Sequence, residues 1–177
     1  MAPGQPAPEF DDEDRAGARA WLEAVRAPVV RDLLESVFTD VTAAITERRP
    51  VCEVSGRCCR FEEYGHRLYV SGLEAAYTLA RLRDDTPRRI AEADVHLARQ
   101  EGGCPFQIEG LCSVHEIKPV ACRTYFCDPT AQDWHHDLTE RCHERVRTIH
   151  ELHALPYRYA EWRWLLSLVV SVEADGA

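Results

Sequence analysis

The spacing of apolar residues along the chain predicts amphipathic helices. In the clearest case, apolar side chains recur at intervals of three and four positions, as they do on one face of a helix. These side chains are Val30, Leu33, Leu34, Val37, Val41, Ala44 and Ile45. Pro28 suits the first turn of this helix, because proline has a helical φ and the first turn does not need its missing N–H. The helix leads the chain to Cys52.

Caps and breakers predict the next elements. The stretch "RLYV" at 67–70 is typical of a short strand, and Ser71 with Glu74 makes a capping box that begins a helix over 73–83. A Thr-Pro pair at 86–87 begins another helix, which the two glycines at 102–103 end.

The second half of the chain combines irregular segments with one long helix. The sequence "CPFQIEGLCSV" predicts a hairpin around Glu109 and Gly110, and "HEIKPVACRTYFCDP" predicts a short helical or looped piece. A long helix is predicted over 137–153. Its apolar side would carry Leu138, Cys142, Val146, Ile149 and Leu152. The aromatic residues of "PYRYAEWRWLL" are interpreted as core and helix-packing groups.

Together these elements predict a mainly α single small domain, with helices around two irregular cysteine-bearing loops and a short strand or hairpin element. A chain of 177 residues that is 45% hydrophobic can bury one core. Residues 1–14, rich in Pro, Ala and acids, are predicted to form a disordered acidic tail, and residues 15–177 to form the domain.

Charge and apolar content exclude several functions. A net charge of -9 disfavours a nucleic-acid surface. The segment 162–172 is too short and too interrupted by arginine to span a bilayer, and the first residues lack the basic start and apolar stretch of a signal peptide. We therefore expect a cytoplasmic protein without a nucleic-acid or membrane partner. In that reducing compartment, cysteines are ligands, catalytic groups or packing residues rather than disulfides.

Seven of the eight cysteines fall into two loop groups that 44 residues separate. They are Cys52, Cys58 and Cys59, and then Cys104, Cys112, Cys122 and Cys127. Neither group has the Cys-x-x-Cys pairs of a zinc ribbon or the tight triple of a bacterial ferredoxin, so folding would have to assemble a metal site.

The adjacent cysteines of the first loop should differ in role. Neighbouring side chains diverge, so Cys58 and Cys59 can bind one ion together only on an unusual backbone, and Gly56 can supply a tight turn with positive φ. Two metals, or one metal and one packing or hydrogen-bonding role, are the simpler arrangements. Cys142 lies on the apolar side of the long helix and is interpreted as a packing residue.

The order of these motifs resembles a known family. "CEVSGRCC" followed by "CPFQIEGLCSVHEIKPVACRTY" resembles the YkgJ-type cysteine-cluster proteins, a family of zinc- or iron-chelating domains. The resemblance covers residues 52–125. We place the motif core of the domain at 52–127 and a helical C-terminal extension at 128–172. It implies a metal role for six matched thiols, Cys52, Cys58, Cys59, Cys104, Cys112 and Cys122.

The chain also departs from the family pattern. Ser55 stands where the family has its second cysteine, His115 replaces a tyrosine, and Lys118 replaces an arginine. Cys127 is available to replace the thiol missing at Ser55.

Zinc and an iron–sulfur cluster are both compatible with this set. Zinc takes four thiolates at about 2.3 Å, whereas a [4Fe–4S] cluster needs four cysteines that are spread further apart. The long spacings and the family's link to flagellin lysine methylases favour the cluster. We expect a metal-binding protein, for which the sequence names no protein partner and no catalytic residue.

Two enzyme functions remain as alternatives. One is a relative of the flagellin-type protein lysine N-methylases. The other is a thiol-based redox enzyme in which Cys59 or Cys122, beside Arg60 or Arg123, has a lowered pKa.

Other polar residues suggest weaker sites. Glu140 and His143 form one Glu-x-x-His pair, although a carboxylate-bridged di-iron site needs two. The histidine pairs 135–136 and 150/153 are interpreted as solvent-exposed or capping residues.

Overall fold

The structure is a computed structural model that describes residues 7–85 and 89–175. It is mainly helical and has two small antiparallel sheets, which confirms the predicted fold class. The helices are α1 (Asp12–Ala24), α2 (Pro28–Arg48), α3 (Phe61–Tyr64), α4 (Gly72–Asp85), α5 (Glu92–Glu101), α6 (Val120–Thr124), α7 (Gln132–Leu152) and α8 (Trp162–Asp175). The strands are β1 (Tyr69–Ser71), β2 (Gln107–Ile108), β3 (Leu111–Cys112) and β4 (Tyr159–Glu161). Two 3₁₀ turns cover Arg57–Cys59 and Pro129–Ala131.

Helix α8 is the centre of the core. It contacts α1, α4 and α5, and most of its side chains are buried because apolar residues surround it on every side. A second layer packs α2 against α7, and α6 contacts both of these helices. In the described part of the chain, no helix is long and apolar enough to cross a membrane.

Each sheet pairs only two strands. β1 pairs with β4, with Val70 opposite Ala160, and this pairing joins the start of α4 to the start of α8. β2 pairs with β3 as the predicted hairpin. Glu109 and Gly110 at its turn have φ of 49° and 80°, and positive φ at both central residues is typical of a two-residue type I′ turn.

The predicted helix after Pro28 is confirmed as α2, which buries Val30, Leu34 and Val37. The predicted capping box is confirmed at the start of α4. The Ser71 N–H donates to Glu74 Oε2 at 2.9 Å, and the Glu74 N–H donates to Ser71 Oγ at 3.3 Å.

Helix α1 corrects the prediction of a disordered segment up to residue 14. The helix begins at Asp12, and the Asp11 carboxylate accepts the Asp14 N–H at 2.8 Å as an N-cap. Its Ala18 and Trp21 are buried where α1 meets α4 and α8, so tertiary packing stabilises a helix whose first turn is acidic. Residues 1–6 lie outside the described residues.

The helix expected from residues 86–87 is present as α5, from Glu92, and it ends as predicted at Gly102, which has φ of 78°. Residues 86–88 lie outside the described part of the chain, so the proposed Thr-Pro start is not described.

The last turn of α7 differs from the prediction. Leu138, Cys142, Val146 and Ile149 are buried as expected, but Leu152 is 70% exposed. His150 is buried instead, and its Nδ1 lies 2.9 Å from the Pro156 carbonyl oxygen beyond the end of the helix. Of the two roles predicted for it, solvent-exposed or capping, the exposed one is therefore wrong. The chain folds back after the helix and covers the His150 side rather than the Leu152 side.

The aromatic residues of the C-terminal segment differ in burial. Trp162 is buried at the start of α8, as predicted. Tyr157 and Tyr159 are exposed, because they belong to the connection and the edge strand β4 rather than to a helix face.

Candidate metal centre

The two cysteine loops contact each other directly. The Cys104 N–H donates to the Cys59 carbonyl at 2.9 Å, and the Gln107 side-chain amide donates to the Gly56 carbonyl at 2.9 Å. Buried Arg163 of α8 adds a second connection, because its guanidinium binds Glu62 at 3.1 Å and lies 3.4 Å from the Gly103 carbonyl oxygen. The predicted meeting of the loops is therefore present in the fold.

Gly56 starts the turn that carries the cysteine doublet. Its φ of 68° is the positive value predicted for it, and its carbonyl accepts the Cys59 N–H at 3.1 Å to begin the 3₁₀ turn. A Cβ at this position would overlap the Gly110 carbonyl oxygen of the hairpin. Glycine is therefore required both by the backbone conformation and by the close approach of the second loop.

A small cavity of about 20 Å³ lies between the loops, enclosed by apolar side chains such as Phe61, Phe106 and Trp162. Five thiols line it: Cys58, Cys59, Cys104, Cys112 and Cys122.

A larger cavity of about 360 Å³ adjoins the small one. Its thiols are Cys52, Cys58, Cys112, Cys122 and Cys127. The two cavities share Cys58, Cys112 and Cys122, so every predicted loop cysteine lines at least one of them. The two adjacent cysteines differ in position, because Cys58 lines both cavities whereas Cys59 lines only the small one.

The thiol of Cys59 contacts three other thiols of the small cavity. It hydrogen-bonds to the thiols of Cys104, Cys112 and Cys58, and these interactions together with burial raise its pKa. The Cys59 hydrogen bond lowers the pKa of Cys58 to about 6 and that of Cys112 to about 7, and the Lys118 ammonium acts in the same direction on both. Both thiols therefore lose their protons more easily than a free cysteine thiol does.

Cys122 differs from these two thiols. Burial raises its pKa well above the ordinary value, with a further contribution from the nearby Cys104. It lies in the wall between the cavities as a neutral thiol.

These pKa directions contradict the expectation of activated Cys59 or Cys122. Arg60 binds Glu63 and the Ser55 carbonyl instead, and the Arg123 Nε donates to the Lys118 carbonyl at 2.7 Å. Sequence neighbours on a short helix or turn point in different directions. Arg123 does attract the Cys122 thiolate, but the burial of Cys122 outweighs this attraction and keeps its pKa raised. Sequence reasoning missed Cys58 as the low-pKa thiol, because the hydrogen bond responsible depends on the local turn.

The remaining candidates lie apart from this centre. Cys142 is buried among apolar residues of α7, which confirms its packing role. Glu140 is exposed, and the ring of half-buried His143 packs edge-on against Tyr159 with centroids 4.8 Å apart. His136 is exposed as expected, whereas His135 is half-buried.

The donor set suits a thiolate-bound metal. Within residues 7–85 and 89–175, no three Cys, His, Asp or Glu side chains are arranged as a formed ion site. The chemistry of the lining nevertheless fits a thiolate-bound metal, because each cavity is lined by five cysteines and four thiolates are enough to hold one zinc or one iron–sulfur cluster.

No family model, curated protein or solved structure matches the chain. The resemblance to the YkgJ-type cysteine-cluster proteins therefore stays a prediction that depends on the order and context of six cysteines.

Proposed function

We propose that this chain is a metal-binding protein that holds zinc or an iron–sulfur cluster through cysteine thiolates of its two loops. The observation that carries the proposal is the convergence of all seven loop cysteines, from segments 44 residues apart, on two adjoining cavities. Packing cysteines have no reason to gather in this way, and the eighth cysteine, Cys142, lies in the core as an ordinary apolar residue.

The small cavity supports a single ion such as zinc. Its volume of about 20 Å³ is close to that needed by one water-sized group. Cys59 and the three thiols that it contacts, those of Cys58, Cys104 and Cys112, supply four sulfurs, the number that a closed structural zinc site uses. Metal binding requires deprotonated thiols, and the lowered pKa values of Cys58 and Cys112 reduce the cost of that step.

The larger cavity supports the cluster that the sequence favours. Its volume of about 360 Å³ and its five thiols suit a [4Fe–4S] cluster, which needs four cysteines spread around a cube. Cys52 and Cys127 would join the shared thiols there, and Cys127 would replace the cysteine that Ser55 displaces.

In either cavity, this chain's residues would hold the metal as a cross-link between the two loops. A zinc ion would supply only structure, whereas a cluster would also supply electron transfer.

Two cysteine variants test which of the two cavities holds the metal. Cys104 lines only the small cavity and Cys127 only the larger one, so each variant removes one thiol from one cavity. Protein purified without oxygen is analysed for bound metal and for ultraviolet–visible absorption, with Cys142→Ser as the control that keeps both cavities intact.

A zinc centre in the small cavity predicts colourless protein that loses its metal in Cys104→Ser and keeps it in Cys127→Ser. A cluster in the larger cavity predicts brown protein with the opposite pattern. Folded wild-type protein that contains neither metal would refute the proposed function.

A thiol-based redox enzyme is a second candidate, because the lowered pKa of Cys58 beside a cavity is typical of a reactive thiol. Metal-free native protein in which one cysteine is alkylated much faster than the others would support this function over metal binding. The lysine methylase alternative stays a prediction.

A further inference from the structure

The chain contains one lysine among 177 residues, although it contains 20 arginines. This lysine, Lys118, lines both the small and the larger cavity. A sequence that uses arginine everywhere else for a basic side chain therefore has its one lysine at the cysteine cavities.

The backbone at Lys118 is held from two helices. The Thr78 hydroxyl of α4 donates to the Ile117 carbonyl at 2.9 Å, and the Arg123 Nε of α6 donates to the Lys118 carbonyl at 2.7 Å. Buried Glu74 accepts the Val120 N–H at 2.9 Å on the other side. The lysine stem thus starts from a fixed point, which limits where the ammonium can go.

The ammonium of Lys118 acts electrostatically on three of the cavity thiols. It favours the thiolate forms of Cys58, Cys112 and Cys122. The nearest carboxylate in sequence, Glu116, is highly exposed and lies 3.4 Å from His115, and among the described residues no carboxylate forms an ion pair with Lys118.

A thiolate centre in this position needs a compensating charge. Four thiolates around Zn²⁺ leave a net charge of about −2, and four thiolates around an iron–sulfur cluster also leave excess negative charge. Burial makes such a charge costly unless a cation is close. The Lys118 ammonium is a compact positive charge with three hydrogen-bond donors, which can serve as this cation.

We infer that Lys118 is a positioning residue of the metal centre, whose ammonium compensates the charge of the thiolates and orients them for metal binding. This inference rests on the proposed function. It holds for either cavity, because Lys118 lines both.

Arg147 of α7 provides a matched control. It is exposed, pairs with Glu151 at 3.3 Å and lies over the Tyr157 ring, and it lines neither cavity. Removing its charge changes the net charge of the protein as much as removing that of Lys118, without removing a charge from the lining of a cavity.

The experiment compares wild type, Lys118→Met, Lys118→Arg and Arg147→Gln in the 177-residue chain. The affinity for the metal that wild type binds is measured by competition with a chelator, and the melting temperature is measured with and without metal. We expect Lys118→Met to weaken metal binding about 10- to 100-fold, as outer-shell substitutions do. Lys118→Arg should keep most of the affinity because it keeps the charge, and Arg147→Gln should change it less than twofold.

The melting temperatures distinguish an effect of Lys118→Met on metal binding from an effect on the folding of the metal-free protein. The metal-free forms of wild type and Lys118→Met should melt at similar temperatures, while the metal-loaded forms should differ. If the centre is an iron–sulfur cluster, Lys118→Met should also lower its reduction potential, because removing a nearby positive charge disfavours the added electron.

Equal metal affinity in wild type and Lys118→Met would overturn the inference alone, as would an equal loss in Lys118→Met and Lys118→Arg, which would indicate shape rather than charge. Wild-type protein that binds neither zinc nor iron would instead overturn the proposed function, and the inference with it.

Discussion

Gly56→Ala adds one methyl group at the point where the two cysteine loops meet. Gly56 has φ of 68°, and its carbonyl accepts hydrogen bonds from the Cys59 N–H and the Gln107 side chain. The new Cβ would overlap the Gly110 carbonyl oxygen and lie 2.5 Å from Gln107 Nε2. The first of these atoms belongs to backbone, so the hairpin itself would have to move.

Two costs add at this position. A left-handed backbone conformation costs a non-glycine residue about 1 to 2 kcal/mol. Overpacking against a fixed neighbour costs a further 1 to 3 kcal/mol, roughly, so Gly56→Ala should destabilise the metal-free protein by about 2 to 5 kcal/mol. For a chain of this size, each kcal/mol lowers the melting temperature by about 2 to 4 °C.

Gly65→Ala measures the cost of the left-handed backbone conformation alone. Gly65 has φ of 65°, almost the same as Gly56, but a Cβ there would meet nothing within 4 Å. This variant should lose only about 1 to 2 kcal/mol. The excess loss in Gly56→Ala, measured by thermal and urea unfolding of both variants, is the contribution of the contact between the loops. Gly56→Ala should also reduce metal content, because the doublet and the hairpin cysteines move apart.

Equal destabilisation by Gly56→Ala and Gly65→Ala would refute the reasoning. It would mean that the hairpin yields without cost and that the two loops are not held together by their close approach at Gly56.

Three further predictions concern buried and titrating groups. Glu74→Ala should cost about 3 to 5 kcal/mol in urea unfolding, because it leaves two buried backbone N–H groups without their carboxylate; a loss under about 1 kcal/mol would contradict this. In metal-free protein, the rate of alkylation of Cys58 by iodoacetamide should rise with pH through a midpoint near pH 6, while buried Cys142 stays unreacted. A midpoint for Cys58 near pH 8.5, the value of a free thiol, would refute the argument that its hydrogen bond to Cys59 lowers its pKa. Burial lowers the pKa of His150, so as the pH falls the unfolded state gains this proton before the folded state does. The contribution of His150 to the free energy of unfolding should therefore be fully present above about pH 6.5 and should decrease below that pH. An equally steep decrease in His150→Asn would exclude His150 as the cause.

Local patterns in the sequence determined much of the framework. Helix α2, the capping box at Ser71 and Glu74, and the hairpin turn at Glu109 and Gly110 are all present where the sequence predicts them. The positive φ of Gly56 belongs to the same class. Each of these features depends on hydrogen bonds and steric limits within a few residues, which residue types alone specify.

Only the tertiary structure decided how these pieces combine into a site. That Cys59 contacts Cys104 and Cys112, and that Lys118 lines both cavities, depends on loops that are distant in sequence. Helix periodicity favoured Leu152 as a core residue, but the chain folds back over His150 instead. A local pattern states which face of an element is apolar; which thiols share a cavity, and which charges lie beside them, depends on how helices pack against one another over the whole domain.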